Sequence, residues 1–300
     1  MPEDLENLLL KLDDELDDIS SDKDSELSLP DADKDSELSL PDAALFNKVN
    51  RVKELIDQGA DVNIKNDLGE TPIQMTINPE IIDLLVAHGA DVHIQGEWGN
   101  TPLHDAARYD YFDAAAALIR NGANVNAKDN DGDTPLHNAY TKGNEEIADL
   151  LIKNGADINA KNNDGKTPLD IKHQYELNEK LFDAVNNDDV AAVKKLIEMG
   201  ADANTFQCRW FTPLYKAKSG NVAELLIQNG ADVNAINDDG EPPLYWASVN
   251  NNFDTAVVLI KHGADVNITD YCGCTPLSAA KTDEMAELLV KHGAKKDKKE

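Results

Sequence analysis

Residues 131–144 read DGDTPLHNAYTKGN. A histidine, a threonine and several acidic side chains lie a few positions apart, so the stretch is either the wall of an active site or the start of a helix. Thr134 makes a good N-cap, because its hydroxyl can accept a hydrogen bond from a free backbone N–H of the first turn. Pro135 fits the first helical position, where its missing N–H costs nothing. Leu136 then faces a core, and Gly143 can take the left-handed conformation that turns the chain back. In EEIADLLIKN (145–154), Ile147, Leu150 and Leu151 continue a helical pattern, which stops at Gly155, a helix-ending glycine. The following ADINAKNNDG closes on Asp164-Gly165, a tight-turn signal. The unit is therefore helix, turn, helix, hairpin.

The unit recurs. Gly-Ala pairs begin at Gly59, Gly89, Gly122, Gly155, Gly200, Gly230, Gly263 and Gly293, at intervals of 30, 33, 33, 45, 30, 33 and 30 residues. Thr-Pro, or Pro-Pro in one case, recurs at Thr71, Thr101, Thr134, Thr167, Thr212, Pro242 and Thr275. Asp110 and Asn251 hold the slot of Gly143, and Asn and Asp are the residues after glycine that best tolerate positive φ. Helices this short are marginal alone and must stack on their neighbours to bury their apolar faces. TPLHDAA at 101–107, TPLHNAY at 134–140 and GADVN at 59–63, 230–234 and 263–267 resemble the ankyrin repeat, whose signature and period they match over residues 44–300. The resemblance implies an all-α repeat solenoid of about eight repeats or part-repeats, with paired short helices and β-hairpin fingers.

That answers the question raised by residues 131–144. The resemblance implies that His104 and His137 are structural, bracing the helix start and neighbouring backbone. The same slot holds Gln74, Asp170, Tyr215, Tyr245 and Ser278 in other repeats, too varied a set for shared chemistry. His88, His262 and His292 precede helix-ending glycines, where positive charge suits the helix dipole.

The 45-residue interval is the main irregularity. The glycines of the two halves are offset by 141, 141, 141 and 138 residues, so the chain reads as a doubled four-repeat array. We expect two lobes in contact, 44–173 and 174–300, joined by a lengthened helix near 170–181. Residues 1–43 carry 16 acidic and three basic residues, and DKDSELSLPDA occurs twice, at 22–32 and 33–43. Such composition predicts an acidic, largely disordered tail. Leu5, Leu8, Leu9, Leu12, Leu16 and Ile19 share a helical face, which suits a cap over the first repeat or a helix docking into a partner. Ser21, Ser28 and Ser39 each have an acid three residues on, a pattern for acid-directed phosphorylation.

The formal net charge is −29, from 57 acidic and 28 basic residues. A field of that sign disfavours nucleic acid and anionic membranes and favours a basic or mixed-charge protein surface. No apolar run approaches the ~20 residues of a membrane helix, and the first residues lack the pattern of a secretory signal. Three cysteines, Cys208, Cys272 and Cys274, set no disulfide framework, so a cytoplasmic setting is expected. No phosphate loop, nucleophile elbow or HExxH is found. Cys272-Gly273-Cys274 lacks the four-ligand spacing of a zinc site, and AKDNDGD (127–133) lacks the spacing of a calcium loop. We expect no enzyme, no metal and no cofactor.

The resemblance places binding on the concave side, on hairpin tips and the exposed face of each first helix. Carried over by position, the candidate partner-binding residues are Trp98, Asn100, Arg108, Tyr109, Lys142, Arg209, Phe211 and Tyr271. Tyr, Trp and Arg dominate interface hot spots. Trp210 departs from the pattern by occupying the turn-glycine slot. We expect its hairpin to be remodelled, with Trp210 and Phe206 or Phe211 sealing the junction between the lobes. The expected function is a non-catalytic protein-interaction module. Its Lys-, Asn- and Ile-rich style is similar to ankyrin proteins of intracellular bacteria, which implies an effector acting in a host cytosol. The rival readings are an intramolecular or oligomeric scaffold, and an acidic charge mimic working through the tail.

Overall fold

A computed structural model describes residues 37–207 and 210–295. The leucine face of residues 5–19, the first copy of the duplicated stretch, Cys208 and Arg209 lie outside them. The chain divides into two units, residues 1–91 and 92–300.

In the first unit, α1 (Leu40–Leu45) and α2 (Val49–Asp57) form one pair, and α3 (Pro72–Met75) and α4 (Pro79–Ala87) the next. Helix α1 begins inside the second copy of the duplicated stretch. Ser39 is its N-cap: the Oγ accepts the Asp42 N–H and donates to Asp42 Oδ2 at 2.5 Å. Leu40, Ala43, Val52, Ile73, Ile81 and Leu85 are buried between α1, α2, α3 and α4.

The second unit repeats this plan in two rows. The inner row is α5 (Pro102–Arg108), α7 (Pro135–Lys142), α9 (Pro168–Asn186), α11 (Pro213–Lys216) and α13 (Pro243–Asn250). The outer row is α6 (Phe112–Arg120), α8 (Glu145–Lys153), α10 (Val190–Glu198), α12 (Gly220–Gln228), α14 (Phe253–Lys261) and α15 (Asp283–Lys291). Each inner helix packs on its inner neighbours and on the outer helix that follows it in sequence. The core runs between the rows, on residues such as Leu103, Leu136, Ile147, Leu151, Leu181, Leu214, Leu226 and Leu259. Burial of these faces, worth about 25 cal/mol per Å² of apolar surface, holds helices that are too short to persist alone.

The punctuation follows the residues. Asp110, Gly143 and Asn251 all have positive φ, at 62°, 75° and 55°. At the equivalent place in the repeat that opens at Thr167 stands Glu176, a good helix former with no left-handed tolerance. The chain does not turn there, and α9 runs on for 19 residues. The lengthened helix expected near 170–181 is this element.

One expected feature takes a different form. The fingers are built of turns, and the described residues contain no β-strand. The fingers close with short turn bonds, such as Asp129 N–H to Asp133 C=O and Gly132 N–H to Asp129 C=O, both at 3.0 Å. The remaining donors, the N–H groups of Asp131 and Asp133, go to the Asp129 side chain at 3.0 and 2.8 Å. A strand ladder has nothing left to pair.

Candidate partner-binding surface

Five of the finger tips are small clamps. An Asn or Asp accepts two backbone N–H groups across a turn whose glycine has positive φ; Asn66, Asp129, Asn162, Asn237 and Asp270 all play this part. Neighbouring tips are then tied together. Asn130 donates its backbone N–H to the Trp98 carbonyl at 3.0 Å and its side-chain amide to the Glu97 carbonyl at 3.1 Å. Asn163 repeats the arrangement on Asp131 and Asn130. The approach is close: a Cβ on Gly99 would lie 2.5 Å from Asn130 Oδ1 and 2.8 Å from its backbone nitrogen. Glycine is required there by both φ and space.

This scaffold places the candidate residues unequally. Trp98 sits on the tip held by Asn130, with 60% of its surface exposed, and Tyr271, 75% exposed, sits on another tip. Arg108 and Tyr109 end α5 and are exposed, with the Tyr109 ring 6.1 Å from that of Tyr111. Lys142 is exposed one repeat further on. Asn100 is half-buried and donates to both carboxylate oxygens of Asp105 at 2.7 Å, so its amide braces the start of α5. Phe211 is half-buried as well. Its ring meets Tyr215 and Trp246 edge-on at 5.1 and 5.2 Å, under the Lys216 ammonium. The structure thus presents Trp98, Arg108, Tyr109, Lys142 and Tyr271 to solvent and packs Asn100 and Phe211 into the scaffold.

Trp210 takes the positive φ of the glycine slot, 57°, and Gln207 N–H reaches the Phe211 carbonyl at 3.1 Å. The strain is offset by stacking: the Trp210 ring lies on Phe206 with centroids 4.3 Å apart, a geometry worth about 0.5–1.5 kcal/mol. Both rings remain largely exposed. This stacked pair is a further candidate contact. The sequence signal for it is the tryptophan in the glycine slot.

Behind the tips the imidazoles hold the frame. His104 Nδ1 accepts the Thr101 N–H at 3.1 Å, and Nε2 lies 3.1 Å from the Asp133 carbonyl of the next finger. The first contact assigns the proton to Nε2. His137 repeats both contacts with Thr134 and Lys166. Burial holds the His104 imidazole below its ordinary range, outweighing its hydrogen bond to the Asp133 carbonyl and the charges of Asp129 and Asp133. Tyr215 does the far part of this work in its repeat, its one O–H shared between the Ala235 and Glu241 carbonyls at 2.6 and 2.8 Å, and burial pushes its phenol upward. Cys272 is exposed and Cys274 half-buried, both as thiols. Among the described residues no three His, Cys, Asp or Glu side chains gather as a metal-holding group. No helix among them is long and apolar enough to cross a membrane.

Comparison with known families agrees with this architecture. A model of ankyrin repeats in three copies matches residues 40–129 and 181–270, and a second, of ankyrin repeats in many copies, matches residues 118–171. No curated protein matches the chain.

Proposed function

Because the chain belongs to the ankyrin-repeat family, whose repeats are generally protein–protein interaction modules, we propose that it is a non-catalytic module gripping a partner with its finger tips and the exposed ends of its first helices. The observation that carries this reading is Trp98: a large aromatic, mostly exposed, on a tip whose backbone is clamped by Asn130. A rigid aromatic loses little entropy on binding, and such residues anchor interfaces. Arg108, Tyr109, Lys142 and Tyr271 extend the contact, with Arg209 as the remaining candidate by position. The net charge of −29 favours a basic or mixed-charge partner and salt-sensitive association. On this reading the array has two four-repeat halves, 44–173 and 174–300, and the Lys-, Asn- and Ile-rich style supports a partner in a host cytosol.

The test is affinity enrichment with the full chain beside a variant carrying Trp98→Ala, Arg108→Ala and Tyr109→Ala, its thermal stability checked. The partner is then purified and titrated against both. Loss of about 2 kcal/mol or more in the folded variant is expected for a hot-spot cluster. Undiminished affinity would move binding to the acidic tail or the second half, and a stable self-assembly with no partner would favour the scaffold.

A further inference from the structure

Rings on three consecutive fingers, at 204–211, 237–241 and 270–274, belong to one run of contacts. On the first, Phe206 and Trp210 stack, and Phe211 beside them meets Trp246 of α13 edge-on at 5.2 Å. Trp246 donates its Nε1–H to Glu241 of the second finger at 2.8 Å. On the third, Tyr271 donates its backbone N–H to the Asp239 carbonyl at 3.0 Å. Its ring comes so near Gly240 that a Cβ there would lie 2.9 Å from it. Tyr271 is thus held in place while 75% exposed, and Tyr245 and Trp246 are half-buried.

The charges along the second and third fingers are of one sign: Asp238, Asp239, Glu241 and Asp270. From Ser219 to Ala280 the only basic side chains are Lys261 and His262, and both bond Glu224 of α12, on the outer row, at 3.3 and 3.0 Å. Lys216, Lys218 and, outside the described residues, Arg209 belong to the first finger and the short helix after it. The Tyr245 phenol responds to the surplus. Burial first, then Glu241, Cys274, Asp270 and Cys272, hold it above its ordinary range. Glu241 accepts the Trp246 and Asn237 donors on one oxygen, Oε2, which leaves Oε1 without a hydrogen bond among the described residues. These carboxylates do not gather as a metal-holding group, so they answer a row of cations rather than one divalent ion. The first finger shows how a cation sits on such a ring: the Lys216 ammonium lies 5.0 Å from the centre of Phe211.

We propose that the fingers at 237–241 and 270–274, with Tyr245 and Trp246 of α13, take an arginine-bearing segment of the partner protein. A planar guanidinium stacks on an aromatic face and pairs with a carboxylate at the same time, which an ammonium does less well. Tyr271 supplies the exposed ring, and Glu241 and Asp270 supply charge on either side of it in the array. The proposal rests on the reading that the finger tips grip a partner, and it names the chemistry that one stretch of them accepts. Trp98 has no part in it.

The probe is a fluorescent peptide of four Gly-Arg repeats, titrated against the full chain by anisotropy. We expect saturable binding, weakened about threefold by Tyr271→Ala and about threefold by Glu241→Gln, and about tenfold by both together. Tyr271 is mostly exposed, and a glutamine can still accept the Trp246 and Asn237 donors, so both variants should fold, as circular dichroism will verify. A Gly-Lys peptide of equal length should bind about threefold more weakly, and Trp98→Ala should change nothing. Absence of saturation overturns the proposal. Equal affinity in the Tyr271 and Glu241 variants also overturns it and assigns the peptide to the acidic residues 1–43. Equal affinity for the lysine peptide overturns the role of the rings and leaves a surface that reads charge alone. The enrichment experiment tests the finger-tip reading through Trp98, so a peptide that ignores Tyr271 sinks this proposal alone.

Discussion

Two joints of the second unit perform the same tasks with different residues. At the regular joint, Asn126 bridges to the next loop alone, donating to the Gly155 carbonyl at 3.0 Å and accepting the Asp157 N–H at 2.7 Å. Gly132 makes the finger turn, and His137 carries the frame to the Lys166 carbonyl. At the irregular joint, Gln174 donates to the Gly200 carbonyl at 3.0 Å and Asn178 accepts the Asp202 N–H at 2.9 Å, both from the through-running α9. Trp210 makes the turn there, and Tyr215 carries the frame. The backbone requirements of a stacked array are fixed, whereas the side chains that meet them are not. Substitutions made in parallel at the two joints show how far that equivalence extends.

The largest contrast should lie in the core. Leu136 is fully buried and Leu169 is 47% exposed in the same slot. Leu136→Ala should cost about 2–5 kcal/mol through lost burial and the cavity left behind, whereas Leu169→Ala should cost less than about 1 kcal/mol. Urea unfolding of both variants measures this; equal losses would mean that Leu169 is covered in solution. Next come the turns. Gly132→Ala places a Cβ about 2.7 Å from Asn163 Oδ1 at a φ of 75°, and should cost about 1–3 kcal/mol. Trp210→Gly releases left-handed strain of about 1–2 kcal/mol while losing the Phe206 stack, so it should change stability by under about 1 kcal/mol. A large loss at Trp210 would mean that the stack has taken over the support of that finger.

The bridges give a smaller effect. Asn126→Ala removes two hydrogen bonds at once, for about 1–2 kcal/mol, while Gln174→Ala and Asn178→Ala each remove one bridge and should cost about half as much. If either single variant at α9 matched Asn126→Ala, the Gln174–Asn178 hydrogen bond at 2.9 Å would be coupling the two residues into one unit.

How much of this was legible in the sequence follows the same division. Thr-Pro caps, helix-ending glycines and the left-handed slots at Asp110, Gly143 and Asn251 are local, and local chemistry alone dictates them. The through-running helix was readable because Glu176 replaces the turn residue. Three other features depend on what packs nearby, which spacing does not encode. Trp210 holds a left-handed φ with its ring stacked on Phe206. Phe211 is held by Trp246, which lies 35 positions later. Asn100, a candidate contact by position, turns inward because Asp105 at the start of α5 accepts its amide. The exposed tips, Trp98 and Tyr271, were readable because no core lies in reach of a finger tip.

The smallest effect is a pH dependence that separates the histidine frame from its tyrosine counterpart. His104 is buried, with Nδ1 occupied by the Thr101 N–H and Nε2 facing the Asp133 carbonyl. Adding a proton would set an N–H on Nδ1 against the Thr101 N–H and charge a buried ring, so the folded pKa lies below the ordinary value of 6.5. The unfolded chain therefore binds the proton first. The contribution of His104 to stability is complete above about pH 6.5 and is lost as pH falls through that value towards the folded pKa. Gln74 performs the same cap without titrating, accepting the Thr71 N–H at 3.0 Å, so His104→Gln retains the cap and removes the proton site. Denaturant unfolding at pH 7.5 and 5.5 should show the unsubstituted chain losing more stability on acidification than His104→Gln. Tyr215→Phe, which removes a phenol that does not titrate in this range, should follow the unsubstituted chain. If His104→Gln also lost stability in parallel with the unsubstituted chain, the imidazole would have to keep its proton in the folded state. The Thr101 N–H could not then be its partner, and the equivalence of the histidine and glutamine caps would fail.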